Sequence, residues 1–336
     1  MEKVLSNITK VINLPVWEKW LSLFGLTVLS WQTLCLGSFV YRHFIRPRRN
    51  LLKRYGEGSW VVVTGGTDGV GKAFCLEFAR LGFNIVNISR NLQKLETTAN
   101  DIKAVNPNVQ VKSVKADFKD SFQPGFYDNI FEQIKDLDIS VLINNIGITG
   151  DDYFLKFDDK FLVEYYGINC VSQVMMTHKL LPKLLARKNK GAIINLSSLS
   201  ASRPHGFLMP YAPTKAFNDF FSRAIEQEYG DKLDIVSCIP GFMRTSMIGH
   251  GNLPGSIPVE SFIKGLIDKL GYETRTPGTW FHEYFYHSLM ARTEDYHASM
   301  NRKNLPRFLD MTIEARKKNN LTQPDATVTK TSPGEN

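Results

Sequence analysis

Cysteine is scarce in this 336-residue chain: Cys35, Cys75, Cys170 and Cys238 lie far apart, with no CxxC and no Cys/His pairing. That excludes a disulfide framework and a zinc site, and it suits a reducing compartment. The seven histidines form no grouping with carboxylates that suggests a metal of any kind, and His282 and His287 are expected to be surface or core residues rather than ligands. No internal repeat is visible. Nor is the chain short of apolar residues: 43% are hydrophobic and 12% aromatic, which excludes a disordered or collagen-like polymer and predicts a large core. Because α/β folds run to ~250 residues as a single domain, one domain with extensions is the expectation.

Acidic side chains are nearly missing from the first 54 residues, which hold nine Lys/Arg against two Asp/Glu. That surplus accounts for all but one unit of the net charge of +8, so the basicity is local and a nucleic-acid-binding body is disfavoured. Charge of either sign is absent from Trp20 to Tyr41 (WLSLFGLTVLSWQTLCLGSFVY), 22 residues long. As a helix at ~1.5 Å per residue this run spans ~33 Å, about one bilayer core. Trp17, Trp20, Tyr41 and Phe44 flank it where interfacial aromatics belong. RHFIRPRRNLLKR follows, and the excess of positive charge after the run places the C-terminal body in the cytosol of a single-pass protein. Two other readings compete. A cleaved signal peptide is disfavoured by the length of the run and the arginines behind it, whereas Ser22, Thr27, Ser30, Gln32, Thr33 and Ser38 keep a buried core helix open.

From residue 58 onward, β-branched apolar runs at 59–65, 83–90, 109–118, 139–145, 191–198 and 233–241 alternate with stretches of helical period. The pattern predicts an α/β fold, a Rossmann-type doubly wound parallel sheet behind an N-terminal transmembrane helix. Helices are expected at 71–81, 93–105, 125–135, 171–187 and 211–229. Residues 242–300 break the alternation and are rich in Gly, Pro, His, Tyr and Phe, which suggests a ligand-covering insertion rather than another βα unit. Phe242, Met243, Met247, Ile248, Trp280, Phe281, Tyr284 and Phe285 there suit a long hydrophobic substrate, or else simply pack the last elements. Residues 316–336 are polar and expected to be a disordered tail. The implied organisation is 1–54 anchor and basic juxtamembrane segment, 55–315 α/β domain with 242–300 as its covering segment, 316–336 tail.

Three motifs carry chemistry. After the first strand comes Thr64-Gly-Gly-Thr-Asp-Gly-Val-Gly-Lys72, a glycine-rich turn opening a helix, suited to cradling a pyrophosphate on free N–H groups at the positive end of the helix dipole. At the end of the second strand, where an NAD site places a carboxylate, stand Ser89, Arg90 and Asn91. An arginine there pairs with a 2′-phosphate, and no carboxylate repels it, so NADP(H) is expected over NAD(H). The third motif is Tyr211-Ala-Pro-Thr-Lys215, with Ser198 upstream at a strand end. Tyrosine and lysine at i and i+4 share a helix face, and a nearby cation favours the phenolate, which turns a phenol of ordinary pKa ~10 into a usable acid or base.

These residues resemble the short-chain dehydrogenase/reductase family over about 59–247. The resemblance implies a catalytic tetrad of Asn169, Ser198, Tyr211 and Lys215. It implies cofactor contacts from Gly65, Thr67, Asp68, Gly69, Val70 and Gly71, from Arg90, from Asp117 at the adenine, from Asn144 of Asn-Asn-x-Gly, from Lys215, and from Pro240, Gly241 and Thr245. In this family Tyr211 would exchange the proton, Ser198 hold the carbonyl oxygen, Lys215 tune Tyr211 and bind the nicotinamide ribose, and Asn169 hold a water linking Lys215 to solvent. YGEGSWVVVTGGTDGVGKAF, ISRN, KGAIINLSS and the stretch from YAPTKAF to IEQEY resemble the membrane-bound branch of 17β-hydroxysteroid dehydrogenases and very-long-chain 3-oxoacyl-CoA reductases. That branch implies the endoplasmic reticulum membrane and a lipid substrate, steroid or long-chain acyl-CoA, and the helices bearing Asn169 and Tyr211 form a homodimer interface in many members. Pro213 departs from the family's usual small residue and is harmless only in a first helical turn. A catalytically silent dinucleotide-binding scaffold and a secreted binding domain are the rival functions. Loss of the tyrosine or lysine would mark the first. Glycan on Asn195 or Asn320 would mark the second.

Overall fold

The computed structural model describes residues 15–150, 153–245 and 255–318, in two compact units, one ending at Pro47 and one beginning at Arg48. In the first unit, helix α1 (Val16–Val40) passes into a π-helical turn (Tyr41–Ile45). Together they give 30 helical residues, whose most apolar 18-residue stretch has a mean hydropathy of 1.5 and is not buried. A soluble core helix would hide such a surface, so the exposed helix is a candidate membrane span.

The second unit is built on a seven-stranded parallel sheet of order β3-β2-β1-β4-β5-β6-β7. Its strands are β1 (Trp60–Thr64), β2 (Asn84–Ser89), β3 (Val111–Lys115), β4 (Ile139–Asn144), β5 (Gly191–Leu196), β6 (Leu233–Cys238) and β7 (Arg275–Thr276). The central runs are apolar at successive positions because both faces are covered. Val61 and Val63 enter one core with Phe74, Phe78 and Ile102, while Val62 enters the other with Ile130, Met176 and Leu184. The first core is closed by α2 (Leu51–Tyr55), α3 (Gly69–Arg80), α4 (Leu92–Val105) and α9 (Val259–Ile267), and the second by α5 (Phe126–Ile134), α7 (Ser172–Leu185) and α8 (Tyr211–Tyr229). Helix α6 (Asp159–Tyr166) precedes α7, and α10 (Trp280–Met290) and α11 (Glu294–Lys318) follow β7.

Two expectations are corrected. Residues 242–300 do contain a further βα unit: Val259, Phe262, Ile263 and Leu266 of α9 are buried in the core, and the chain then returns as β7 beside β6. β7 escaped notice because it is two residues long and begins with arginine. The juxtamembrane stretch also belongs to the body from Arg48 on. Arg48 pairs with Asp268 at 2.6 Å, Arg49 lies 3.9 Å over the Tyr272 ring, and Arg54 grips Asp234 through Nε and Nη2 at 2.5 and 2.8 Å. Tyr55 is wholly buried and donates to the same carboxylate at 2.8 Å. Arg187 donates to the Tyr55 carbonyl. Helix α11 continues to Lys318, past the start of the expected tail at 316, and the rest of the tail lies outside the described residues.

Burial pushes the Asp234 carboxyl up, but hydrogen bonds from Arg54 and Tyr55 outweigh it and hold the group below its usual range. Stability from this carboxylate is therefore present above the ordinary carboxylate pKa and lost as pH falls through the lowered one. Asp234→Ala leaves a half-buried guanidinium and a buried phenol unpaired, and is expected to cost ~3 kcal/mol in urea unfolding. Unchanged stability would show that the arginine segment is merely laid on the surface.

Candidate active site

The carboxyl ends of β1, β2, β4, β5 and β6 gather the functional residues, on both sides of the point between β1 and β4 where strand order reverses. Gly65 (φ +69°) turns the chain off β1, and Gly69 (φ +49°) opens α3, whose first N–H is met by the Asp68 carboxylate at 2.7 Å. The approach is tight. A Cβ on Gly71 would stand 2.2 Å from the Gly65 carbonyl, and one on Gly66 would stand 2.4 Å from Asn87 Oδ1. Beside the turn, a Cβ on Gly69 would meet the Thr245 methyl at 3.4 Å, so the segment after β6 faces the start of α3. This backbone cradle at a helix N-terminus fits a pyrophosphate.

At the end of β2, Thr67 and Ser89 hydroxyls are 2.9 Å apart, and the adjacent Arg90 is exposed. Asp117, two residues past β3, caps the turn Phe118–Asp120 by accepting from Lys119 N at 3.1 Å. Asn144 does not point at the glycine turn: its amide donates to Asn195 at 2.8 Å and Thr177 at 3.0 Å, and the side chain is buried between β4, β5 and α7. Its neighbour Asn145 is the brace, donating to the Thr64 carbonyl at 2.9 Å and the Gly65 carbonyl at 3.1 Å. Neighbours on a strand face opposite ways, so the two asparagines take different partners, and Asn145 is the one of the pair bonded to the glycine turn.

Tyr211 is the first residue of α8, and Pro213 lies exposed in its first turn, where no intrahelical donor is lost. Lys215 comes one turn later, its Nζ 5.6 Å from the Tyr211 ring centroid and donating to the Leu196 carbonyl at 2.8 Å. The Lys215 carbonyl accepts from Ser197 at 2.6 Å, which ties α8 to the end of β5. Ser198 follows, half-buried, and caps the turn Leu199–Ser202 that packs on α8. Asn169 sits in a π-helical turn (Gly167–Val171) between α6 and α7 and clasps Ile148, accepting from its N–H at 2.8 Å and donating to its carbonyl at 2.9 Å. It also donates to Thr214 at 3.3 Å. A Cβ on Gly147 would lie 3.4 Å from both Asn169 Oδ1 and Lys215 Nζ, so these three residues converge. Thr214 and the Leu196 carbonyl were missed. A backbone oxygen leaves no trace in a sequence, and Thr214 looked like a spacer.

Burial lowers the Lys215 ammonium to about 8, outweighing the opposing effect of the Cys170 thiol. The sign follows: between about 8 and the ordinary value near 10.5 the unfolded chain holds the extra proton, so stability rises with pH across that window. The cofactor-free protein should gain roughly 3 kcal/mol relative to Lys215→Met between those limits, at ~1.4 kcal/mol per pH unit. Parallel pH–stability curves for the two would refute the shift.

Residues 59–252 match the family of short chain dehydrogenases. The chain is 37% identical over 241 residues to hydroxysteroid dehydrogenase-like protein 1 of Gallus gallus, covering 69% of this chain and 71% of that protein. It is 36% identical to the inactive hydroxysteroid dehydrogenase-like protein 1 of Homo sapiens over 73% of this chain and 76% of that one. It is 35% identical to the very-long-chain 3-oxoacyl-CoA reductase of Rattus norvegicus over 78% of this chain and 79% of that one. Among solved structures, a 7β-hydroxysteroid dehydrogenase matches with a TM-score of 0.67 at 26% identity, over 75% of this chain and 99% of that chain. The chain belongs to the short-chain dehydrogenase/reductase family of oxidoreductases.

Proposed function

We propose that this chain is a membrane-anchored, NADP(H)-dependent ketoreductase of the endoplasmic reticulum, acting on a lipid carbonyl of a 3-oxoacyl-CoA or an oxosteroid, with its catalytic body in the cytosol. The observation that carries the reading is the Lys215 ammonium beside the Tyr211 ring, one helical turn along the same face. Bound NADPH supplies a hydride. Tyr211 gives its phenolic proton to the carbonyl oxygen, and Ser198 donates a hydrogen bond to that oxygen. Lys215, fixed by the Leu196 carbonyl, keeps a positive charge near the phenol and favours its deprotonated form. Asn169 holds Ile148 and Thr214 so that Gly147 and Lys215 keep their places. Arg90, with the Thr67 and Ser89 hydroxyls, receives the 2′-phosphate.

The relatives named for 3-oxoacyl-CoA and hydroxysteroid chemistry support a lipid substrate, and the exposed Phe242, Trp280, Tyr284 and Phe285 suit an apolar one. Met247 and Ile248 lie outside the described residues. The exposed Phe217 and Phe220 on α8 support a homodimer. Asn195 is wholly buried on β5, so the folded body cannot accept a glycan there on either side of the membrane. Asn320 lies outside the described residues. Protease digestion of sealed microsomes replaces the glycan test, with loss of the body expected.

The deciding experiment supplies microsomes containing the chain with NADPH and a panel of long 3-oxoacyl-CoAs and oxosteroids, following absorbance loss. Turnover on one class names the substrate. NADPH binding without turnover on either would favour the silent scaffold, the reading that the inactive human relative keeps in play.

A further inference from the structure

The path from β6 toward Thr245 is held at Ile239, Pro240, Phe242 and Arg244. Ile239 N donates to Thr276 of β7 at 2.9 Å, and Leu199 N, next to Ser198, donates to the Pro240 carbonyl at 2.8 Å. The Phe242 carbonyl accepts from Ile257 N at 3.1 Å. It also lies 3.3 Å from Nε2 of His282, on the first turn of α10. That imidazole is 1% exposed and packs against Gly241 so closely that a Cβ there would stand 2.8 Å from its Cδ2. The Phe242 side chain is 38% exposed, so the backbone is what His282 holds.

We propose that His282 is a positioning residue for cofactor binding, its Nε2–H fixing the Phe242 carbonyl and its ring wall fixing Gly241, so that Thr245 is presented to the first glycine of α3. The inference rests on the glycine turn being the cofactor cradle. Two features separate this contact from ordinary core packing. A buried polar ring beside a glycine is poor filler, where a leucine would bury more apolar surface without a donor to satisfy. The bond also joins two separate elements: the segment after β6, which reaches both Leu199 beside Ser198 and the first glycine of α3, and helix α10. Burial, opposed by the Phe242 and Pro277 carbonyls, pushes the imidazole below its ordinary value, which keeps one nitrogen protonated and one bare at neutral pH.

The test compares His282→Met, similar in volume but without a donor, with His282→Gln, whose amide reaches the position of Nε2. In the full-length chain, His282→Met should raise the NADPH dissociation constant in a fluorescence titration, and the KM with it, ~10-fold, with kcat at saturating NADPH within ~2-fold, and His282→Gln should restore most of the loss. Should the methionine variant fail to fold, Gln against Asn, whose amide falls one methylene short, carries the same comparison. A lowered melting temperature with unchanged KM, or equal KM in the Gln and Met variants, overturns the proposal. A wild-type chain that does not bind NADPH overturns the cradle itself, and the two failures are separate.

Discussion

Tyr211→Phe is expected to lower kcat by ~10²- to 10⁴-fold, the usual contribution of a positioned general acid, while NADPH affinity changes less than ~2-fold. The ring is half-buried at the first position of α8, with Ala212, Thr214 and Lys215 anchoring the helix beneath it. Losing one hydroxyl therefore leaves the helix in place. Lys215 remains bonded to Leu196, so its charge stays where it was, but the carbonyl oxygen of the substrate keeps only the Ser198 hydroxyl, which has no ammonium-tuned acidity to give up its proton. Single-turnover absorbance and a fluorescence titration with NADPH separate chemistry from binding. A phenylalanine variant that turns over at the wild-type rate would move the proton to another donor. Lys215→Met should differ in kind. It removes both the charge beside the phenol and a donor that joins α8 to β5, so turnover falls, while the desolvation cost of the buried ammonium is removed with it.

Much of this was legible because it is local and periodic. Six strands were readable as apolar runs, and α8 could be placed because Pro210 marks its start and the spacing from Tyr211 to Lys215 is one helical turn. What escaped notice was tertiary. Arg48, Arg49 and Arg54 have the composition of a free basic flank, and only the fold reveals the carboxylates and ring on which they rest. β7 has no pattern, since two residues set between Thr274 and Pro277 carry no period. Asn169 was found as a residue type, yet the family expectation of a water holder gives no hint that its side-chain amide is spent on Ile148 and Thr214. His282 was assigned to core or surface, and it is indeed buried, but its bond to a carbonyl forty residues away is invisible to any window.

Gly71→Ala should abolish measurable NADPH binding, a loss of ~100-fold or more, while leaving the protein folded. The added methyl meets two atoms that have little freedom to retreat. The Gly65 carbonyl belongs to a residue whose N–H is bonded to Ile88 at 2.8 Å, and Asn145 Nδ2, 2.5 Å from the added carbon, is itself bonded to Thr64 and Gly65. Helix α3 cannot move away either, because Phe74 and Phe78 lie fully buried against Val61 and Val63. In the turn between Gly65 and Gly69, Asp68 is exposed and Thr67 and Gly69 are only half-buried, so the clash is relieved there, and that is where the cradle lies. Overpacking of this kind costs ~1–3 kcal/mol, enough to shift a binding loop and too little to unfold a body with two cores. Gly206→Ala, where an added Cβ meets nothing within 4 Å, is the matched control and should bind NADPH as the wild type does. If Gly71→Ala binds NADPH normally, the glycine turn is only a helix–strand joint, and the cofactor must rest on other residues of the sheet edge.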